Sequence, residues 1–272
     1  MKLPKEIYDH YKEINEDGRL DRVKGILEFE RSKQIINRYL KNDKMRILDI
    51  GGATGKYSYW LADLGHYVSL VDPMPNLIEI AKDNPKCKSL KSIEVGDVRN
   101  LTANENTYDL IICFGPFYHL TELTERKTAF KELFRTLKKG GILLSAGISK
   151  YVSFIQSGLF DGMIEVDEFK PIIDQDLIDG QHRNTVDNST YFTTSIFLEP
   201  KQLTKETKEA GFTEVECIAV EGPGWMHKNL NNVVNEQNKL SELMDYISKV
   251  EKAESIIGIS THFIVKGTKA SG

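Results

Sequence analysis

The sequence predicts an α/β fold in which a mostly parallel β-sheet carries helices on both faces. Three observations support this prediction. Short apolar runs alternate with helical periodicity between residues 45 and 148, a glycine-rich turn joins the first run to its helix, and acidic residues close several of the runs. Such runs are typical of strands buried on both faces, with helical crossovers between them. Because open parallel sheets bind ligands beyond the carboxyl ends of their strands, we expect a site at that edge.

Residues 1–44 are predicted to form a helical cap ahead of the first strand. They contain two segments of helical character separated by NEDGRL, in which Gly18 breaks the helix. The second segment runs from about Asp21 to Lys41 and carries apolar residues at roughly helical spacing. The cap is therefore expected to consist of two helices.

Strands and helices then alternate along the chain. Seven strands are expected, at residues 45–50, 67–72, 91–97, 108–114, 141–148, 213–222 and 258–267. Helices are expected around residues 57–64, at 75–83, up to Lys138–Gly140, at 200–210 and around 240–247. The last strands should extend the sheet, with an antiparallel strand at its edge.

Residues 149–196 interrupt this alternation after the fifth strand. They are rich in aromatic residues, aspartates and turn residues, and they show no clear period. We interpret them as a lid-like insertion packed over the ligand edge of the sheet, with an irregular surface excursion as the alternative. No linker-like segment divides the chain, so residues 1–272 are expected to form a single domain.

The composition excludes some classes of protein. The chain has 272 residues, 40% hydrophobic and 28% charged, with a net charge of −4, which gives no support to a nucleic-acid partner. The charged beginning does not resemble a secretory signal, and no apolar run approaches the roughly 20 residues of a membrane span. Cys87, Cys113 and Cys217 form no CxxC pair, which favours free thiols in a reducing cytoplasm. We expect no metal, since no zinc-type cluster of ligands is present.

The turn DIGGATG, residues 49–55, distinguishes between two kinds of cofactor. Glycines are needed where the backbone turns sharply and a ligand approaches closely. A dinucleotide site requires the spacing G-x-G-x-x-G, which rests a pyrophosphate on a helix N-terminus. Counting from Gly51, the chain has Ala53 and Lys56 at the two other glycine positions, so the dinucleotide pattern fails. The carboxylate of Asp49 would also repel a pyrophosphate.

The same turn resembles the D/E-x-G-x-G-x-G loop of the class I S-adenosylmethionine-dependent methyltransferases, with Ala53 in place of the middle glycine. Three further segments at strand ends strengthen the resemblance: LVDPMP, EVGDVRNL and FGPFYHL, the last similar to the GPLYHL-type segment common in small-molecule methyltransferases of this class. The four segments occur in order between residues 45 and 148. The resemblance implies a Rossmann-like sheet and S-adenosylmethionine as the cofactor, with S-adenosylhomocysteine as its product.

The resemblance also implies roles for individual residues. An acid before the loop suits the ammonium and sulfonium groups of the cofactor, Asp72 would accept hydrogen bonds from both ribose hydroxyls, and Asp97 would bond the adenine amino group beside Val98. The expected cofactor-binding residues are Asp49, Gly51, Gly52, Ala53, Gly55, Asp72, Pro73, Met74, Asp97, Val98, Phe114 and Gly115, together with Tyr11, Arg19 and Arg31 of the cap. For Arg31, a surface ion pair with a nearby glutamate is an equal alternative.

Transfer of a methyl group from a sulfonium is an in-line displacement, which requires alignment of the reactants and exclusion of water. A neutral amine needs no base during the transfer, whereas a hydroxyl usually does, and His119 is then the first candidate base. His182 is a weaker candidate, with a solvated surface position as its alternative. The expected substrate-pocket residues are Phe117, Tyr118, His119 and Trp225. Core packing explains Phe117 and Tyr118 equally well, and a role in orienting the loop or shaping the pocket is the alternative for His119.

The leading hypothesis is therefore methylation of a small-molecule acceptor, at nitrogen or oxygen, by a cytoplasmic enzyme. An RNA methyltransferase is a second reading, although no basic face or RNA-binding module is evident. A non-catalytic S-adenosylmethionine-binding protein and a nicotinamide-dependent oxidoreductase complete the alternatives. The acceptor and the oligomeric state remain open at this stage, because a fold does not determine a substrate.

Overall fold

The computed structural model describes residues 3–13, 16–186, 188 and 190–271. The strands are β1 (Arg46–Ile50), β2 (Tyr67–Asp72), β3 (Ser92–Val95), β4 (Tyr108–Cys113), β5 (Leu137–Ile148), β6 (Gln181–His182), β7 (Ser195–Ile196), β8 (Thr213–Ala219) and β9 (His262–Thr268). Seven of them form one sheet in the order β3-β2-β1-β4-β5-β9-β8, and β6 pairs with β7 separately.

Helices cover this sheet and its ligand edge. They are α1 (Lys5–Glu13), α2 (Val23–Asn37), α3 (Lys56–Asp63), α4 (Pro75–Asp83), α5 (Leu123–Thr136), α6 (Lys170–Asp179), α7 (Pro200–Glu209), α8 (Leu230–Val234), α9 (Gln237–Val250) and α10 (Glu254–Ile257). A π-helix spans Ser153–Phe160, and single 3₁₀ turns include Arg19–Asp21 and Pro116–His119. Among the residues that the structure describes, no helix is long and apolar enough to cross a membrane.

Both faces of the sheet are covered, as the apolar runs predict. Successive residues of a strand face opposite sides. Leu48 of β1 therefore packs in a cluster with Phe130 of α5, whereas its neighbour Ile47 packs in a second cluster with Ile35 of α2. The expected fold class, a Rossmann-like seven-stranded and mostly parallel sheet, is confirmed.

The position of the antiparallel strand differs from the prediction. Strand β9 runs antiparallel to both β5 and β8 and lies between them, so β8 and not the antiparallel strand forms the edge. The burial of the two strands explains this order. Phe263, Ile264 and Val265 are fully buried on both faces of β9, whereas β8 begins with the exposed residues Thr213 and Glu214. The more apolar strand takes the interior position.

The boundary between α5 and β5 also differs from the prediction. The helix ends at Thr136, and Lys138–Gly140, expected at the end of this helix, already belong to the strand. Gly140 adopts a φ of +72°, and the register with β4 shifts between Tyr108 and Leu110. A bulge of this kind allows the strand to start four residues before the apolar run GILLSAGI.

Residues 149–196 contain regular structure, namely the π-helix, α6 and the β6–β7 pair. They have a small core of their own, in which Phe169, Ile172 and Ile173 are buried. Lys150 and Leu198 connect this segment to the sheet region, since the amide of Lys150 donates to the carbonyl of Leu198 at 3.2 Å. The described residues of the insertion thus form a folded layer next to the carboxyl end of β5.

Candidate functional site

A pocket lies beyond the carboxyl ends of strands β1 to β4 and under the cap. It encloses about 1060 Å³ of space, its open mouth included. The sequence-predicted residues that line it are Tyr11, Arg19, Asp49, Gly51, Gly52, Ala53, Asp72, Pro73, Met74, Asp97, Val98, Phe114, Gly115, Tyr118 and His119. The parallel sheet therefore brings these segments together, as expected from strand-end geometry.

The glycine-rich turn follows β1 and closes tightly against its neighbours. Gly51 has a φ of +75°, its amide donates to the carbonyl of Val71 at 2.7 Å, and a Cβ there would lie 2.5 Å from the ring of Pro116. A Cβ on Gly52 would lie 2.6 Å from the carboxylate of Asp49. Ala53 also adopts a positive φ, +50°, a conformation that favours glycine. The turn thus leaves the backbone, not side chains, facing the pocket.

Asp49, at the end of β1, is almost completely buried, with 1% of its surface exposed. The hydroxyl of Ser58 donates to its carboxylate at 2.7 Å. Burial raises the pKa of Asp49 to about 6, although the hydrogen bonds from Ser58 act in the opposite direction. The buried carboxylate forms no ion pair within the part of the chain that the structure describes, so its field acts on whatever occupies the pocket.

Asp72 ends β2 and is also buried. The amides of Ala53 and Met74 donate to its two carboxylate oxygens at 2.9 and 2.8 Å. Burial raises the pKa of Asp72 to about 7, and the nearby Asp49 adds to the increase, while the two amide hydrogen bonds oppose it. Each oxygen accepts one backbone hydrogen bond and keeps a further lone pair. The carboxylate can therefore accept hydrogen bonds from two hydroxyl groups of a ligand.

Asp97 follows β3 and lies against Arg99. The guanidinium of Arg99 donates to the carboxylate through Nε at 2.9 Å, and the amide of Arg99 donates to it at 2.8 Å. Burial alone would raise the pKa of Asp97, but the hydrogen bonds and charge of Arg99 hold it below its usual value. Asp97 is thus a fixed, ionised acceptor at the end of the pocket next to Val98.

Two glutamates that sequence reasoning missed line the cap side of the pocket. Arg19 donates to Glu16 at 2.8 Å and, with both terminal nitrogens, to Glu28 at 2.6 and 3.0 Å. Burial raises the pKa of Glu16, although Arg19 lowers it. Burial would also raise the pKa of Glu28, but Arg19 and His262 outweigh it and lower the pKa. Only the folded turn before α2 brings Glu28 to Arg19, so no local motif marks this pair.

A tyrosine and a histidine meet at the same end of the pocket. The hydroxyl of Tyr11 lies 2.8 Å from Nε2 of His119, and Nδ1 of His119 lies 3.3 Å from the carbonyl oxygen of Thr194. Burial lowers the pKa of His119 to about 4, with the contact to Thr194 acting against this shift and the proximity of His10 adding to it. His119 is therefore neutral near pH 7. The sequence placed both side chains at the site but did not pair them.

Five predicted residues lie outside the pocket, and four of them, all except Gly55, are fixed elsewhere by their own partners. Gly55 begins α3 with a φ of +90° and does not line the cavity. Arg31 is fully buried, donating to the carbonyl of Val220 at 2.9 Å and to Glu251 at 2.7 Å. Neither the cofactor contact nor the surface ion pair expected for Arg31 is therefore found, because its guanidinium joins α2 to the far end of the sheet.

The aromatic residues Phe117 and Trp225 are placed in the core. The ring of Phe117 packs on Phe130 with centroids 4.4 Å apart. Trp225 is 2% exposed and its indole nitrogen donates to the carbonyl of Ile259 at 3.0 Å. Their assignment to the substrate pocket is corrected accordingly. Tyr118, which follows Phe117 in the sequence, lines the cavity instead.

His182 is neither solvated nor in the pocket. It is 2% exposed, and its Nδ1 lies 2.8 Å from the carboxylate of Asp176. The acidic residues of the insertion are partly neutralised, because Asp161 pairs with Lys24 at 3.0 Å. Because His182 is buried against Asp176 and does not line the pocket, it does not supply a base that contacts a ligand there.

Glu28, Glu221 and His262 bring carboxylate and imidazole atoms within 4.8 Å of one another. The guanidinium of Arg19 already occupies both carboxylate oxygens of Glu28, and Nδ1 of His262 lies 2.6 Å from Glu221. Burial lowers the pKa of His262, but the two glutamates outweigh it and raise the pKa overall. The group is therefore interpreted as a buried ion-pair network.

The sequence matches the methyltransferase-domain family over residues 48–145. A ubiquinone/menaquinone biosynthesis C-methyltransferase of Haemophilus ducreyi is 29% identical over 184 residues, which cover 62% of this chain and 65% of that protein. The enzyme of the same name from Vibrio cholerae is 30% identical over 190 residues, covering 65% of this chain and 67% of that protein. The chain thus spans about two thirds of the length of these relatives.

A solved structure from Thermotoga maritima has a similar fold. It is an S-adenosylmethionine-dependent methyltransferase described as a possible histamine N-methyltransferase, with a TM-score of 0.59 and 18% identity. The similarity covers 97% of this chain and 99% of that chain. At this level of identity, the comparison supports the fold alone.

Replacing Arg31 with methionine is expected to lower the free energy of unfolding by about 3 kcal/mol, the lower end of the range for a broken buried ion pair, because Arg38 still contacts Glu251. Ligand affinity at the pocket should stay unchanged, since Arg31 does not line it. Urea unfolding measures the first quantity. The control is Lys33→Met on the same helix, whose more exposed pair with Glu30 should change stability by less than about 0.5 kcal/mol. Equal effects of the two variants would contradict the interpretation.

Proposed function

Because the chain belongs to the class I S-adenosylmethionine-dependent methyltransferases, we propose that it transfers a methyl group to a small-molecule acceptor and that the accepting atom is an amine nitrogen. The observation that carries the proposal is the arrangement of two buried carboxylates, Asp49 and Asp72, in one pocket with the Tyr11–His119 pair. The cofactor supplies an electrophilic methyl group on a sulfonium. The residues of this chain bind and orient the two reactants, and they exclude water from them.

The cofactor half of the pocket fits S-adenosylmethionine. A Cβ at Gly51 or Gly52 would collide with Pro116 or with Asp49, so the tight loop beside the pocket requires glycine. Neither Asp49 nor Asp72 has an ion-pair partner among the described residues. In this proposal, Asp72 accepts hydrogen bonds from the ribose hydroxyls and Asp97 contacts the adenine end next to Val98. Asp49 stabilises the positive charge of the ligand through space, since a charge in a poorly solvated site acts more strongly than in water.

The acceptor half is proposed to be formed by Tyr11, His119 and Tyr118 with Glu16 at its side. A carbonyl only accepts, so Nδ1 of His119 carries the proton directed at Thr194, and Nε2 accepts the hydroxyl proton of Tyr11. The oxygen of Tyr11 is then free to accept a hydrogen bond from an N–H group. A histidine whose pKa is about 4 is a weak base for a hydroxyl acceptor, which favours nitrogen over oxygen.

The sequence relatives favour a second candidate, methylation of a quinol carbon, because both are named C-methyltransferases of quinone biosynthesis. The aromatic side chains of Tyr57, Phe114 and Tyr118 line the pocket and would suit a flat ring. An assay that offers the protein both amines and a quinol, described below, decides between the two candidates.

The first test measures S-adenosylhomocysteine binding by calorimetry between pH 5.5 and 7.5. Affinity is expected to fall as the pH drops through about 7, because Asp72 then takes up a proton and no longer accepts both hydroxyl hydrogen bonds. Asp72→Asn should weaken binding at pH 7.5 by about 10- to 100-fold, as expected for hydrogen bonds to a charged group. It should also remove the fall in affinity near pH 7, leaving only the dependence due to Asp49, whose pKa is about 6. The exposed Asp63, paired with Lys86, provides the control Asp63→Asn. Tight, pH-independent binding would contradict the role of Asp72.

The second test incubates the protein with S-adenosylmethionine and a panel of primary amines, histamine among them, a phenol and a short-chain quinol. Mass spectrometry then locates the transferred methyl group. Methylation of nitrogen is expected, and Tyr11→Phe should lower kcat about 10-fold, the effect of one lost hydrogen bond, with S-adenosylhomocysteine affinity unchanged. Tyr246→Phe, at an exposed position, is the control. Product found only on the quinol carbon would replace the amine proposal, and binding without any turnover would indicate a non-catalytic protein.

A further inference from the structure

One short segment of the insertion contacts both His119 and the helix α1, which carries Tyr11. The carbonyl oxygen of Thr194 lies 3.3 Å from Nδ1 of His119. The hydroxyl of Thr193 donates at 3.1 Å to the carbonyl of Glu6, in the helix α1 that carries Tyr11. We propose that Thr193–Thr194 is a positioning segment that holds Tyr11 and His119 in the relative position needed to contact the acceptor. This inference rests on the proposed function, and it assigns the insertion a part in building the acceptor site.

The Thr194 contact determines the direction of the hydrogen bonds. Because its carbonyl only accepts, the proton of neutral His119 must lie on Nδ1, which leaves Nε2 to accept from the hydroxyl of Tyr11. If the proton moved to Nε2, the hydroxyl oxygen of Tyr11 would become an acceptor toward His119 and its own proton would face the pocket. The positioning segment thus decides whether the pocket presents an acceptor or a donor to an incoming amine.

Phe192 adds a packing contact to the same arrangement. Its ring lies 5.7 Å from that of His119 in a stacked geometry, and 5.7 Å from that of His10 on α1. Three consecutive residues of the insertion therefore contact α1, His119 or both. Covering the imidazole in this way excludes water from it, which is consistent with its low pKa.

A buried hydrogen-bond network holds the positioning segment in place. His182 of β6 pairs with Ser195 of β7, the residue that follows Thr194. Nδ1 of His182 lies 2.8 Å from Asp176 of α6, and the hydroxyl of Ser153 in the π-helix donates to the same carboxylate oxygen. Asp176 is fully buried. His182 is thus a positioning residue: it does not line the pocket, and it anchors the strand β7 that directly follows Thr194.

The test uses the full chain, labelled with ¹⁵N at histidine, in the presence of S-adenosylhomocysteine. His119→Gln assigns the signals of His119. In the parent protein, the ¹⁵N shifts should show the proton on Nδ1, and His119 should resist protonation to well below pH 6.5. The groups around it are His10 and Tyr11 from α1, Tyr118 on its own turn, and the Thr194 carbonyl. This measurement needs no knowledge of the acceptor.

Thr193→Val keeps the shape of the side chain and removes its hydroxyl. We expect the titration midpoint of His119 to move toward its ordinary value of about 6.5, because α1 is released and water reaches the ring. With the best amine of the panel, kcat should fall about 10-fold, as for a lost hydrogen bond, while the Kd for S-adenosylhomocysteine stays within about twofold. Thr193→Ser should restore both properties. Thr190→Val, at an exposed threonine whose hydroxyl donates to Asn188, should change neither.

Two results would overturn the inference. One is a parent protein whose His119 carries its proton on Nε2. The other is a folded Thr193→Val variant with unchanged titration and unchanged kcat. Failure of the proposed function is distinguishable from both, because it would appear as absent S-adenosylhomocysteine binding or absent methyl transfer in the parent itself.

Discussion

The burial of two carboxylates at adjacent strand ends is the constraint on which the rest of the site depends. Asp49 and Asp72 are 1% and 5% exposed, and desolvation makes their charged forms unfavourable until hydrogen-bond donors or positive charge approach them. The backbone supplies some of these hydrogen-bond donors, because the amides of Ala53 and Met74 donate to Asp72. The turn between β1 and α3 must adopt left-handed conformations to direct the Ala53 amide at Asp72. The glycine pattern of the loop is therefore a consequence of the carboxylate arrangement.

Much of the fold is predictable from the sequence because its signals are local. The apolar run at residues 67–72 and the helical segment at 75–83 match the observed β2 and α4 residue for residue. The strand-end acids were equally accessible to prediction, because parallel strands place their carboxyl ends at one edge. The prediction of strand order fails where it depends on pairing between strands that are distant in the sequence. The order of β8 and β9 depends on which of them pairs with β5, which lies far back along the chain. The apolar character of β9 suits an interior position but does not specify β5 as its neighbour.

The roles of single polar residues were harder to predict, because a residue type does not name its partner. Arg31 pairs with Glu251, 220 positions away. Tyr11 and His119 are separated by 108 positions, and His119 and Thr194 by 75. The sequence supplied candidates of suitable chemistry, and His182 and Trp225 were reasonable among them. Only the tertiary structure shows that His182 bonds to Asp176 and Trp225 to the carbonyl of Ile259 inside the core region. Tyr11 and Thr194, in contrast, converge on His119.

The charge balance of methyl transfer connects the two halves of the pocket. When an amine accepts the methyl group, the positive charge moves from sulfur to nitrogen, so carboxylates such as Asp49 and Glu16 can stabilise a cation before and after the reaction. When a hydroxyl or a carbon accepts it, a proton must leave and a base of matched pKa is required. His119 is neutral, is held by Thr194 and Tyr11, and has a pKa of about 4. A pocket with many acids and a weak histidine base is thus better suited to a reaction that conserves positive charge than to one that must remove a proton.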